Sequence, residues 1–456
     1  MDLLHSVDYC PMQSNESLFL QTKPFHLFLR ASIPGAIGMV ASSIYFTLEL
    51  LLIGRLVGQT AFAAANLVMP FILINFALSD LIAVGSSVRI AIKLGEGKKD
   101  EADNLFTVAV LSCMLINVLI GGLLILLCPT FLSLMGADAV LTESAMDYFT
   151  VYALFSPFTG LVFAVDNYLR ICGRIRFSMG INIFMSLLCL SLQILFLWVL
   201  DLGVAFAALG SSLGMTITAV ICLLQFLRKD MALNFARPHF SFPIIWDMFR
   251  QGLPTFLNNV SGRITNILMN SLLLRWGGDL AVSVYGVLMS VDGIVVPCMY
   301  GVFDSLQPAI GYNWGAERKD RVKRIALCCV IATVVICLFS VVLIELFPAQ
   351  IFSLFLKVDE AGLAMAVHAL SIMGLTYIVR WISYSAQSFS SATGHNREAT
   401  VLSLCHALIF PLLMMAVLQQ FELEGIWFVI PSAAFCTAAV AFIIYLVRIR
   451  KSLRLD

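Results

Sequence analysis

Long apolar runs separated by short polar, mostly basic stretches repeat along the whole chain. A helix crosses a bilayer with roughly 20 apolar residues, and about twelve segments meet that criterion. They run over 31–55, 61–93, 102–128, 141–170, 176–200, 203–228, 250–275, 281–313, 321–347, 361–392, 398–419 and 425–447. Strand-like alternation is missing, so the pattern predicts an all-α membrane protein. The pattern also reads twice. Arg30-Ala31-Ser32-Ile33-Pro34 opens one half and Arg250-Gln251-Gly252-Leu253-Pro254 the other, a shift of 220 residues (254 − 34). The same shift carries Gly95-Glu96-Gly97-Lys98-Lys99-Asp100 onto Gly315-Ala316-Glu317-Arg318-Lys319-Asp320. Six spans per half return the chain to its starting side, so the halves are expected to be parallel repeats about an axis along the membrane normal.

Four regions follow: an N-terminal segment 1–28, a first lobe 29–228, a polar linker 229–249 with Pro and charge breakers, and a second lobe 250–456 with a short basic tail. Lys and Arg set the orientation. With the N-terminus inside, 23 basic residues fall on the inner side, three outside (Arg55, Arg275, Lys357) and two within spans, out of 28. Both termini are therefore expected to be cytoplasmic, in a multi-pass plasma (inner) membrane protein. The sequon at Asn15 then lies in the cytoplasm and is discounted, and no cleavable signal is read before the first span.

Composition agrees: 60% hydrophobic, 12% charged, mean hydropathy +0.94. A chain this apolar needs lipid as its solvent. The balance of 28 basic and 28 acidic residues gives no basic footprint for nucleic acid. The twelve Cys residues stand mostly in apolar runs with no C-x-x-C pair, so they read as small packing residues. No Gly-rich Lys-Ser/Thr phosphate loop and no His-Glu-x-x-His helix occur, so neither ATP drive, an ATP-binding partner nor an intramembrane hydrolase is expected. A monomer without a cofactor is expected.

Several pieces carry a family resemblance: Ile53-Gly54-Arg55-Leu56-Val57-Gly58 after the first span, Asn167-Tyr168-Leu169-Arg170-Ile171-Cys172-Gly173 closing the fourth, and Gly203-Val204-Ala205 opening the sixth. Gln307-Pro308 through Asn313-Trp314-Gly315-Ala316 closes the eighth, and Gly425-Ile426-Trp427 opens the twelfth. In this order and spacing, over about residues 29–447, the chain resembles the multidrug and toxic compound extrusion (MATE) transporters, including their bacterial multidrug branch. The resemblance implies two six-helix lobes forming a V with a pocket between them. It also implies export of organic, often cationic compounds driven by inward protons or sodium.

Ionisable residues inside spans cost about 2.5 to 3.5 kcal/mol each on insertion scales and are functional candidates by default. Here they are Glu49, Asp80, Asp166, Arg263, Asp292, Asp304 and Arg380, with Glu345 near a span end. Ser42, Tyr45 and Glu49 share one helix face. A carboxyl withdrawn from water there is expected to be neutralised by a proton or a sodium ion; otherwise Glu49 is an interface residue reaching for water. The resemblance places an ion-coupling acid five residues before the glycine where Glu49 precedes Gly54. It also implies an acid in the fifth span, where this chain has Gln193, with Cys189 four residues earlier, so the pair of acids is reduced to one. The first-lobe ion site is thus expected at Glu49, Tyr45, Gln193 and Cys189, with sodium as a possible metal.

In the second lobe, Pro254 is followed by Asn258 and Asn259 where some relatives carry a glutamate. The cavity is expected to take Asn259, Asp304, Arg380, Tyr384, Asp80 and Asn75. Arg380 and Tyr384 share a face, and Asp304 with Arg380 is the expected ion pair, structural or gating. Asp166 and Arg170 suggest an i, i+4 pair. Pro34 and Pro254 suggest a shared bend in the first and seventh spans. Gly210-x-x-x-Gly214 reads as a helix contact. The leading reading is a secondary antiporter for drug-like, cationic amphipaths. The alternatives are a lipid-linked saccharide flippase of the same superfamily, which a large cationic cavity would favour, and a membrane-embedded enzyme or assembly factor.

Overall fold

The computed structural model describes residues 17–134, 138–228, 230–356 and 360–449. The Asn15 sequon, most of the 1–28 segment, Lys229, Lys357 and the basic tail from Arg450 lie outside the described residues. Within them the chain is helical: α1 Pro24–Leu52, α2 Gln59–Gly95, α3 Lys99–Leu134, α4 Ala139–Ile171, α5 Ile175–Ile194 and α6 Val204–Gln225. The second half follows as α7 Phe242–Asp304, α8 Gln307–Gly315, α9 Lys319–Leu346, α10 Pro348–Phe355, α11 Glu360–Ala392, α12 Asn396–Leu404, α13 Phe410–Leu418, α14 Glu422–Trp427 and α15 Val429–Ile444.

Continuous helical segments give eleven long apolar stretches, one of them 74 residues from Phe242 to Gly315. At 1.5 Å per residue that stretch would measure several times the ~30 Å hydrocarbon core. It is two crossings. The chain reverses at Gly278, whose φ of 66° and ψ of −163° fall in a region essentially closed to side-chain-bearing residues. Counting both arms, the described residues hold twelve helices long and apolar enough to cross a membrane, six in each half. Pro34 and Pro254 both sit inside continuous helix; the break in α7 comes at Gly278, not at Pro254.

The cores explain the shape. At the end bearing the basic loops, one shared core joins the two halves. Ile90, Phe106 and Tyr168 of the first half pack there with Phe303, Ile310 and Ile325 of the second. At the opposite end the cores are separate. Ile53, Val68, Phe149 and Ala208 form one, and Met269, Tyr285, Phe352 and Trp427 form the other. Two lobes fused at the basic end and parted at the other make a V.

Backbone closeness holds the fused end. A side chain at Gly85 would run into the Met248 carbonyl, and one at Gly252 into the Leu81 carbonyl, so α2 and α7 cross there nearly backbone to backbone. Arg89 of α2 pairs with Asp247 of α7. Each lobe also grips the segment leading into the other. Asn313 Nδ2 donates to the Phe19 carbonyl at 3.0 Å, and Arg321 Nη2 donates to Phe19 at 2.9 Å and Thr22 at 2.6 Å. On the other side, Asp103 accepts from Asn234 N at 2.9 Å, Thr107 from Ala236 N at 3.0 Å and Asn104 from His239 N at 2.7 Å. Lead-in segments with unpaired N–H and C=O groups find partners there that a helix cannot supply.

Candidate functional site

The first-lobe site grows from α1, α4 and α5. Glu49 stands one turn before the end of α1, which closes in a π-helical turn, Ile53–Val57. α5 ends the same way one residue after Ile194, in Leu195–Val199. Such turns re-aim side chains and recur at functional positions. Glu49 is buried, and Gln193 and Tyr45 are wholly so. Gln193 Nε2 donates to Glu49 Oε1 at 2.9 Å, and Tyr148 Oη donates to the same oxygen at 3.4 Å. Tyr45 and Ser211 also face this carboxyl. Cys189 lies one turn from Gln193, its Sγ on the Ser211 carbonyl at 3.4 Å. Gly210 and Gly214 of α6 let this wall close up: a Cβ at Gly210 would lie 2.9 Å from Gln193 Cγ, and one at Gly214 3.0 Å from Cys189 Cα. The four residues singled out for the ion site are therefore neighbours. Glu49's hydrogen-bond partners are all neutral, and Gln193 Oε1 receives no hydrogen bond.

Between the lobes lies a cavity of about 430 Å³. Asp80, Asn259, Asp304 and Tyr384 line it, with Asp166, Arg170 and Arg263. Its floor is built. Arg170 Nη2 pairs with Asp166 Oδ2 at 2.7 Å, as the i, i+4 spacing suggests. Ser178 and Asn182 donate to the other Asp166 oxygen at 2.5 and 2.8 Å. Asp304 accepts from Gln307 Nε2 at 2.7 Å and Tyr384 Oη at 3.5 Å. Charged lining residues number three acids (Asp80, Asp166, Asp304) against two arginines (Arg170, Arg263), so the cavity is mixed and weakly acidic.

Two expectations are corrected here. Arg380 does not pair with Asp304. Its Nη1 lies 2.6 Å from Asp292 Oδ1, which also accepts from Tyr377 Oη at 2.8 Å. Arg380 and Asp292 lie within the second-lobe core, off the main cavity, with Arg380 on a small side pocket shared with His406. The reason is reach: Asp292 stands three turns above Asp304 on α7, level with Arg380 of α11. Asn75 is buried inside the first lobe and does not line the cavity, whereas Asp80, five residues on along α2, does. Sequence reasoning missed Tyr148, whose place on α4 opposite Glu49 is a tertiary fact. It also missed Gln307, although its neighbour Pro308 marks the start of α8.

The MatE family model matches residues 34–195 and 254–416, two stretches whose starts lie 220 residues apart, as in the internal repeat. The multidrug export protein MepA of Staphylococcus saprophyticus is 26% identical over 442 residues, covering 95% of this chain and 96% of that protein. MepA of Staphylococcus aureus is 25% identical, covering 96% and 98%. Among solved structures, an outward-facing multidrug resistance MATE family transporter superposes with TM-score 0.89 at 22% identity, over 97% of this chain and 99% of that one. A MOP superfamily transporter from Pyrococcus furiosus gives 0.89 at 22%, over 98% and 99%. With both halves matched in register and the V of two six-helix lobes in place, the chain belongs to the MatE family of multidrug and toxic compound extrusion transporters.

Proposed function

We propose that the protein is a secondary antiporter of the plasma membrane that exports organic, cationic amphipaths in exchange for inward protons or sodium ions. One observation carries the reading: Glu49 is buried among neutral partners in the wall of a lobe whose other surface lines the central cavity. An unpaired buried carboxylate is costly, so loading an ion there changes the energy of the state that holds it. The Glu49 carboxylate and the free Gln193 oxygen are hard donors of the kind that suit a proton or a small cation. Each charge entering along the potential supplies about 2.3 kcal/mol per 100 mV. Both termini are placed in the cytoplasm by the positive-inside rule, so the cavity opens outward and the fused end is the inner gate.

Asp80 and Asp304 suit cationic substrates, and Tyr384 and Phe163 offer aromatic faces to them. A cavity with three acids and two arginines does not suit a polyanionic lipid-linked sugar. The test is dye efflux in everted vesicles with proton and sodium gradients imposed separately, for the parent and Glu49→Gln. Loss of gradient-driven efflux with folding retained is expected. Unchanged coupled efflux in Glu49→Gln overturns the assignment.

A further inference from the structure

The internal repeat exposes an asymmetry on the outer flanks of the lobes. The shift of 220 residues aligns α3 with α9, since Lys99 and Lys319 begin them. Asp103 then corresponds to Lys323, Phe106 to Ala326 and Thr107 to Leu327. In the first lobe this face is filled by protein. Phe106 packs against Phe226, Phe235 and Tyr168 with ring centroids 4.8, 5.0 and 5.2 Å away. The linker that supplies Phe235 is anchored by Asp103 and Thr107, which accept its backbone N–H groups. Among the described residues the second lobe shows neither such a filler nor a carboxylate acceptor on this face. Ala326 stands where Phe106 would, and a groove of about 800 Å³ remains between α9 and α15, floored by α11.

The groove's character identifies its occupant. Trp381, Phe389, Phe442 and Tyr445 line it with Ala326, and Lys323 is the charged group in its lining. Leu327 and Phe442 at its mouth are 58% and 54% exposed, so it opens sideways from the lobe, where the bilayer lies. Lys323 sits on the second turn of α9, at the basic end, the depth of the headgroups of that leaflet. Among the described residues Lys323 has no hydrogen-bond or ion-pair partner. Where the first lobe offers a carboxylate to backbone N–H groups, the second offers an ammonium that needs an anion. Apolar length below and a lone cation at the rim match one class of molecule.

We propose that the groove between α9, α11 and α15 is a binding site for an anionic phospholipid, with one acyl chain lying along Trp381 and Phe442 and the headgroup phosphate on Lys323. The site is separate from the central cavity, because Phe303, one of its lining residues, and Tyr384, a cavity residue, form the partition with ring centroids 6.0 Å apart.

The test uses the full chain in detergent, titrated with phosphatidylglycerol or phosphatidylcholine carrying dibrominated acyl chains, which quench nearby tryptophan. A saturable component of the quenching that is absent in Trp381→Phe is expected above the background from the exposed Trp198 and Trp246, with half-saturation about fivefold lower for phosphatidylglycerol, the increment of one Lys near an anionic headgroup. Lys323→Gln, a change on the lipid-facing flank of the lobe, is expected to erase that preference while keeping the quenching. Ala326→Phe is expected to abolish the Trp381 component for both lipids as the first lobe's filler is restored. Equal half-saturation for the two lipids, or a preference that survives Lys323→Gln, overturns the proposal. So does quenching that appears only when residues 1–16 or 450–456 are removed, since that segment would then be the occupant. If Ala326→Phe elutes as aggregate, the Lys323→Gln comparison decides.

Discussion

Gln193 Nε2 donates to Glu49 Oε1 at 2.9 Å, tying α5 to α1 in the buried interior of the first lobe. The amide gives the carboxylate a donor without giving it a countercharge. Glu49 is thus held in place by neutral donors.

Replacing Gln193 with Leu removes that donor and leaves the carboxylate buried with Tyr148 as a weak partner. A hydrogen bond to a charged group contributes about 2 kcal/mol, so the variant should unfold earlier in a detergent melt. The loss should be smaller in Glu49→Gln/Gln193→Leu, where no buried charge is stranded. Equal losses in both backgrounds would mean Glu49 is not charged in the folded protein.

Asp292 and Arg380 form the second lobe's inner ion pair at 2.6 Å. Removing one partner of this largely withdrawn pair strands the other charge, at a cost of about 1–3 kcal/mol, so Asp292→Asn should lower the melting temperature. Exchange of both for apolar residues, Asp292→Leu with Arg380→Met, should recover most of it. A double variant that fails to recover while export is lost would make the pair functional rather than architectural.

Gly85 and Gly252 let α2 and α7 meet backbone to backbone at the fused end. Gly252→Val forces them apart. Cysteines placed at Arg89 and Asp247 should then react faster with a membrane-impermeant maleimide added from the basic face. Unaltered labelling would show that the seam tolerates bulk.

Arg321 clasps the carbonyls of Phe19 and Thr22 from the opposite lobe. Arg321→Ala should free that lead-in segment, and limited trypsin digestion should cut at Lys23 sooner than in the parent. Resistance equal to the parent would mean that the buried Leu18 and Phe19 side chains hold the segment unaided.

Asp80 lines the cavity from α2. If cationic dyes are the cargo, Asp80→Asn should weaken their binding about tenfold, for ~1.4 kcal/mol of lost attraction, and leave uncharged ligands unaffected. Fluorescence-quench titrations with matched cationic and neutral dyes distinguish the two.

The sequence by itself determined the helices, their number and the two-lobe plan, because span length and apolar composition are local constraints imposed by lipid, and the 220-residue echo fixes the symmetry. It also pointed to Glu49, Tyr45, Gln193 and Cys189, since their helix phase and motif offsets are one-dimensional facts. The i, i+4 pair Asp166–Arg170 was legible for the same reason. Tertiary structure decided what depends on the depth and rotation of separate helices. It chose Asp292 over Asp304 as Arg380's partner, turned Asn75 into the lobe, and brought Tyr148 to Glu49. It filled one flank with Phe106 and, among the described residues, left a groove at Ala326 on the other. Partner choice across helices is a matter of angstroms, and a linear pattern sets the order of side chains but not which of them meet.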